Sequence, residues 1–118
     1  MKPCAVVTGA AVRVGRGIAL ELADRGFDLV LHAHSSLREL EATADACREL
    51  GSEVFTIQAD LADGDGVRLV IDTVREAFDV VHALVNNASI FQSVPFEDIA
   101  ADSWRRMQDV NLTAPFLL

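Results

Sequence analysis

Apolar residues along this chain change their spacing at short intervals, and each change marks an element. CAVVT (4–8) is a compact β-branched run of the kind a strand buried on both faces carries. From residue 15 to 25 the period becomes helical, with Ile18, Leu22 and Arg25 on one stripe and Gly26 at a C-terminal cap position. DLVLHA (28–33) reads as a second strand. Ser36 followed by Leu37, with Glu39 three residues on, has the form of a capping box, and Leu37, Leu40, Ala44 and Cys47 continue a helix to Gly51. EVFTIQA (53–59) is a third strand. Asp65 is placed to cap a third helix, in which Val67, Val70, Ile71, Val74 and Phe78 share a face. VVHALVNN (80–87) is a fourth strand, and after a loop containing Pro95 a last helix begins near Ala101.

Strands that alternate with helices at this spacing are parallel and joined by crossovers, and strands apolar throughout need helices on both faces. The expected fold is therefore a doubly wound α/β sheet. In such a sheet the ligand crevice lies beyond the carboxyl ends of the strands. Those ends are residues 8–15, 33–36, 59–61 and 87–91, and nearly every unusual residue of the chain falls in one of them.

Composition narrows the partners. The 118 residues suffice for one domain, and a 51% hydrophobic content argues against disorder. Eighteen Asp and Glu against ten Lys and Arg give a net charge of -8, which repels nucleic acid and anionic membranes at long range. A bound phosphate must therefore be held by local geometry, and a small molecule is the expected partner. Cys4 and Cys47 lie in a strand-like and a helix-like run, without CxxC or metal-ligand spacing, and read as buried free thiols. The apolar run before Thr8 is short for a signal peptide, and no stretch approaches the ~20 apolar residues of a membrane span, so the expected location is the cytoplasm.

The loop VTGAAVRVGRGIA (7–19) carries the chemistry. Gly9 follows the first strand and Gly15 opens the first helix, whose free N–H groups and positive dipole end suit a pyrophosphate. The competing reading is a plain strand-to-helix turn, because a glycine pattern alone is weak evidence.

TGAAVRVG (8–15) resembles the TGxxxGxG fingerprint of the short-chain dehydrogenase/reductases, with Arg13 at the middle glycine. NNAS (86–89) is similar to the family's NNAG, ADL (59–61) to its Asp-containing turn, and DVNLTAPF (109–116) to the helix bearing its Asn. The four motifs run in order over nearly the whole chain. The loop Arg, the LHAHSS stretch (31–36) and NNASIF (86–91) look like the pteridine reductase branch.

The resemblance implies a Rossmann-like sheet and a nicotinamide cofactor. The implied cofactor contacts are Gly9, Arg13, Val14, Gly15, His34, Ser35, Ser36, Asp60, Leu61, Asn87, Ala88 and Ser89. Phe91 and Arg13 would face the substrate, and Asn111 would serve a proton relay. Arg13 otherwise reads as a solvated loop charge, His34 as a strand-end residue and Asp60 as a turn or capping Asp. His32 and His82, inside strand runs, read as core, and Asn86 as the residue tying the fourth strand to its neighbours. Ser35 stands where the branch has an Arg for the NADP 2′-phosphate, yet no acidic residue replaces it to hold a free ribose hydroxyl, so NADP(H) is favoured over NAD(H).

The family's reaction is hydride transfer between the nicotinamide and a carbonyl, imine or alcohol carbon, with a Tyr as acid and a Lys four residues later. This chain has no Tyr, and Lys2 is its only Lys. It also ends in an apolar stretch after Pro115, with its fourth strand at a sheet edge. The expectation is that residues 1–118 are the cofactor-binding half of a reductase acting on a pterin, a folate or a carbonyl such as a 3-oxoacyl group. Alone, this half would be inactive, and at full length it would form a homo-oligomer. The alternatives are a non-catalytic NADP(H)-binding module and a fragment without activity.

Overall fold

The computed structural model describes residues 1–118. Four strands, β1 (Cys4–Val7), β2 (Asp28–Ala33), β3 (Val54–Gln58) and β4 (Ala83–Val85), form one parallel sheet in the order β3-β2-β1-β4. Between them run α1 (Arg13–Asp24), α2 (Leu37–Glu49) and α3 (Gly64–Ala77). After β4 come a 3-10 turn (Phe96–Asp98), α4 (Ala101–Gln108), a π-helical turn (Asp109–Thr113) and the short α5 (Ala114–Leu117). The fold is the α/β parallel sheet that the alternation of periods predicts, and it is Rossmann-like, as the resemblance implies. No helix is long and apolar enough to cross a membrane.

Alternation along the strands divides the core in two. Ala5, Val7, Leu29, Leu31 and Val54 meet Ala19 and Ala23 of α1 and Leu40, Ala44 and Cys47 of α2. Ala59 and Leu61 meet Val67 and Val70 of α3 and Ala114 of α5. The α1 residues buried here are small, Gly15, Ala19 and Ala23, whereas Ile18 and Leu22 lie at the margin of the core. Small residues let that helix approach the sheet closely, which brings its N-terminus to the end of β1.

The sequence and the structure differ at five places. The apolar run 80–87 yields a strand only at Ala83–Val85, because β4 pairs with β1 alone and Val80 and Val81 stay exposed beyond that partner. His82 is accordingly exposed rather than core, and its Nδ1 accepts from the Cys4 amide at 3.0 Å. Asp63, not Asp65, caps α3, accepting the Asp65 N–H. Ser36 occupies the N-cap position of α2, but its side chain makes no capping bond. Of the two thiols, both free, Cys47 is buried and Cys4 only partly so.

Candidate functional site

β1 leads by α1 to β2 on one side, while α3 carries the chain across to β4 on the other. The order of strands therefore reverses between β1 and β4, where ligands bind in open α/β sheets. A cleft of about 590 Å³ opens there. Its lining comes from the loop after β1 (Gly9, Val12, Arg13, Val14, Gly15), from His32 and His34, from Asp60 and Leu61, from residues 87–90, and from Arg106 and Val110. That volume lies within the range of small-molecule and cofactor sites, about 300–1,000 Å³.

The floor is built from backbone. Thr8 is buried, and its Oγ1 accepts the amides of Asn87 and Ala88 at 3.1 and 3.0 Å. Asn87 Nδ2 donates to the carbonyls of Thr8 and Gly9 at 3.2 and 3.0 Å. The glycines are explained by close approach: a Cβ on Gly9 would stand 2.9 Å from Ala88 Cα, and one on Gly15 would stand 1.9 Å from the Gly9 oxygen. The residue tying β4 to the loop is thus Asn87, while Asn86 is exposed.

His32 completes the brace. It is 1% exposed, its Nδ1 accepts the Gly9 amide at 3.2 Å, and Nε2 lies 2.8 Å from the Ala59 carbonyl. Both bonds require the neutral ring with its proton on Nε2. Burial pushes the pKa of this imidazole down, which keeps that form.

The helix dipole opens into this cleft. Val12 is the N-cap of α1 in an extended conformation, with no side-chain capping bond and no acidic residue in the first turn. The first amides of a 12-residue helix thus lie at the cleft without a side-chain acceptor, next to Arg13. Arg13 has φ of 51°, the left-handed region that disfavours a side chain by about 1–2 kcal/mol. Backbone strain of this kind clusters at ligand clamps and active sites. Uncapped helical amides, a neighbouring guanidinium and a tightly packed glycine turn together fit the pyrophosphate of a dinucleotide.

Around the rim, Asp60 is held from three sides. Its Oδ1 accepts the Ala62 amide at 3.0 Å and Arg106 Nη2 at 3.2 Å, and its Oδ2 accepts Arg106 Nη1 at 3.1 Å. His34 Nε2 lies 3.7 Å from Oδ2. The Arg106 hydrogen bonds hold this carboxyl below the usual aspartate value. Asp60 is therefore both a turn former and a cleft residue.

The structure brings Gly9, Arg13, Val14, Gly15, His34, Asp60, Leu61, Asn87, Ala88 and Ser89 together on one cleft. Ser35 and Ser36 lie outside its lining, because the chain turns away into α2. Phe91 also lies outside it; 86% exposed, it lines a neighbouring hollow of about 280 Å³ with Ile90, Gln92, Ser103, Arg106 and Met107. Asn111 is not in the lining either. Its Oδ1 accepts the Ile90 amide and its Nδ2 donates to the Ile90 carbonyl, each at 2.8 Å, so its amide fixes the loop after β4. It sits in the π-helical turn, a feature frequent at functional sites.

Val12 and Ile90 line the cleft from within the strand-end stretches 8–15 and 87–91, whereas sequence reasoning misses Arg106 and Val110 altogether and reads His32 as core alone. Arg106 precedes Val110 by four residues and so shares its helical face, which is the one signal that could have placed it.

The short chain dehydrogenase family profile matches residues 3–118. A 3-oxoacyl-(acyl-carrier-protein) reductase of Staphylococcus epidermidis is 36% identical over 116 residues, which are 98% of this chain and 48% of the relative. Among solved structures, a short chain dehydrogenase from Burkholderia cenocepacia in complex with NADP superposes with a TM-score of 0.93 at 35% identity, covering 98% of this chain and 47% of that one. An L-sorbose reductase from Gluconobacter frateurii complexed with NADPH and L-sorbose superposes with a TM-score of 0.93 at 29% identity, covering 99% and 44%. The chain spans about half the length of the curated relatives it matches. With the matched profile extending over the sheet, the glycine turn and the Asn-bearing helix alike, the chain belongs to the short chain dehydrogenase family.

Proposed function

We propose that residues 1–118 are the NADP(H)-binding half of a reductase, with the pyrophosphate on the N-terminus of α1 and the adenosine toward His34 and Asp60. The observation that carries this reading is the uncapped α1 N-terminus with strained Arg13, opening on a cleft at the strand-order reversal. When bound, NADPH supplies the hydride. The chain's own residues orient the cofactor: Asn87 and His32 fix the glycine turn, Ala88 and Ser89 border the cleft, and Asn111 holds Ile90. None of them is an acid suited to protonating a reduced substrate, since the chain has no Tyr and its single Lys, Lys2, bonds the Gly51 carbonyl far from the cleft. The substrate would be a carbonyl compound or a pterin-like ring. The 3-oxoacyl reductase relatives favour the first. Exposed Phe91 beside the second hollow, with Arg13 at the cleft, favours the second.

The test is NADPH oxidation by the protein as its native source makes it, with a 3-oxoacyl thioester and an oxidised pterin offered separately. Turnover of either supports the reading and chooses the substrate. NADPH binding without turnover of any carbonyl or pterin supports a non-catalytic module instead.

A further inference from the structure

We propose that Arg106 sets the charge of the adenosine end of the cleft, neutralising Asp60 so that the site favours a ligand bearing the extra phosphate of NADP(H) over NAD(H). This rests on reading the cleft as a nicotinamide-dinucleotide site. Arg106 is a specificity-determining and positioning residue, not a catalytic one.

Three observations carry it. Asp60 is the only carboxylate among the cleft residues, and Arg13 and Arg106 are the only Lys or Arg. Arg106 takes both Asp60 oxygens in a forked pair, at 3.1 and 3.2 Å, from a helix 46 residues away in sequence. His34, at the end of β2, lies 3.7 Å from the same carboxylate. With Arg106 in place the lining carries one net positive charge inside a chain of net charge -8. Without it, an unpaired carboxylate would face the phosphates of any dinucleotide. The 2′-phosphate of NADP(H) adds negative charge that NAD(H) lacks, so the repulsion would fall more heavily on NADP(H). The sequence offers no Arg after His34 to favour that phosphate, since Ser35 stands there and lies outside the lining.

Arg106 also anchors α4, none of whose residues is fully buried, and a purely anchoring role predicts a different result. The experiment is titration of the full chain with NADPH and with NADH, compared with Arg106→Gln, Asp60→Asn and the double variant. The readout is the ratio of the two dissociation constants. The unchanged chain is expected to prefer NADPH. Arg106→Gln is expected to reduce that preference by about tenfold, and the double variant to restore it to within about twofold, an effect that shrinks near 1 M salt where charges are screened within about 3 Å. Asp60→Asn alone keeps the fork's cation and is expected to strengthen the preference, which tests the idea even if Arg106→Gln fails to fold. Equal weakening of both cofactors by Arg106→Gln, or an unchanged ratio in Asp60→Asn, would overturn it. If the unchanged chain binds neither cofactor, the reading of the cleft fails first, and this inference fails with it.

Discussion

The carboxamide of Asn87 donates to the carbonyl of Gly9 at 3.0 Å, across 78 residues of sequence. Through that bond and its second donation, to Thr8 O at 3.2 Å, the loop after β4 holds the glycine turn after β1 in place. Replacing it with Ala leaves two partly buried carbonyls without a donor. Asn87→Ala is expected to destabilise the fold by about 1–3 kcal/mol, measured as a lowered urea midpoint, and to weaken NADPH binding at the same time. A variant of unchanged stability would show that the turn is held by other means.

Two glycines of α1 make a paired test. Gly15→Ala places a methyl 1.9 Å from the Gly9 oxygen and 2.6 Å from Asn87 Nδ2, so backbone must shift. The expected loss is at least about 1–3 kcal/mol, with the cleft deformed. Gly17→Ala meets nothing within 4 Å and lies in the helix interior, so it is expected to stabilise by about 0.5–1 kcal/mol. Thermal unfolding of the two variants should move in opposite directions.

Arg13 trades stability for binding. Arg13→Gly relieves the strain of φ 51°. Relief of about 1–2 kcal/mol outweighs the added chain entropy of Gly, about 0.5–1 kcal/mol, so stability should hold or rise slightly. NADPH affinity should nevertheless fall by about tenfold, the scale of one lost charge-assisted bond. A variant that is less stable and binds equally well would contradict this assignment of Arg13.

Acid should loosen the glycine turn through His32. Its folded pKa lies below the usual 6.5, so as pH falls the unfolded chain takes up the proton first. The stability that neutral His32 contributes is present above pH 6.5 and is lost as pH falls through that value toward the lower folded pKa. Protonation also abolishes the acceptor for the Gly9 amide. The urea midpoint should therefore drop between about pH 7.5 and 5.5, and less so in His32→Gln. A flat midpoint over that window would refute the buried neutral tautomer.

Asp60 acts at lower pH with the opposite kind of group. Its folded pKa lies below the usual 3.8, chiefly through the Arg106 hydrogen bonds. Its stabilisation is present above pH 3.8 and is lost as pH falls through the depressed value. The pair is 41% and 38% exposed, so solvent screening limits the effect to about 1 kcal/mol or less. Asp60→Asn should flatten the acid limb by that amount.

Periodicity made the sheet legible because β1 and β2 are covered on both faces and must be apolar throughout, whereas α1 to α3 bury one face only. It overran at 80–87 because Val80 and Val81 are apolar yet have no strand beside them. The glycine turn was legible because close backbone contacts at Gly9 and Gly15 exclude side chains. The reading of Asn86 as the tie failed because Asn86 and Asn87 both lie past the end of β4, where only the folded loop decides which side chain reaches the Thr8 and Gly9 carbonyls. For Arg106 the sequence offers only its place one helical turn before Val110. On a polar helix it looks like any solvated cation until a carboxylate 46 residues away is brought beside it.

The most direct test of the central claim is an NMR titration of the chain with NADP, following backbone amides. The account predicts saturable shifts concentrated at Gly9, Val14, Gly15, Ala88 and Ser89, with Arg48 and Glu49 at the far end of α2 unmoved. Saturation with shifts elsewhere, or no shifts at all, would contradict the assignment of this cleft.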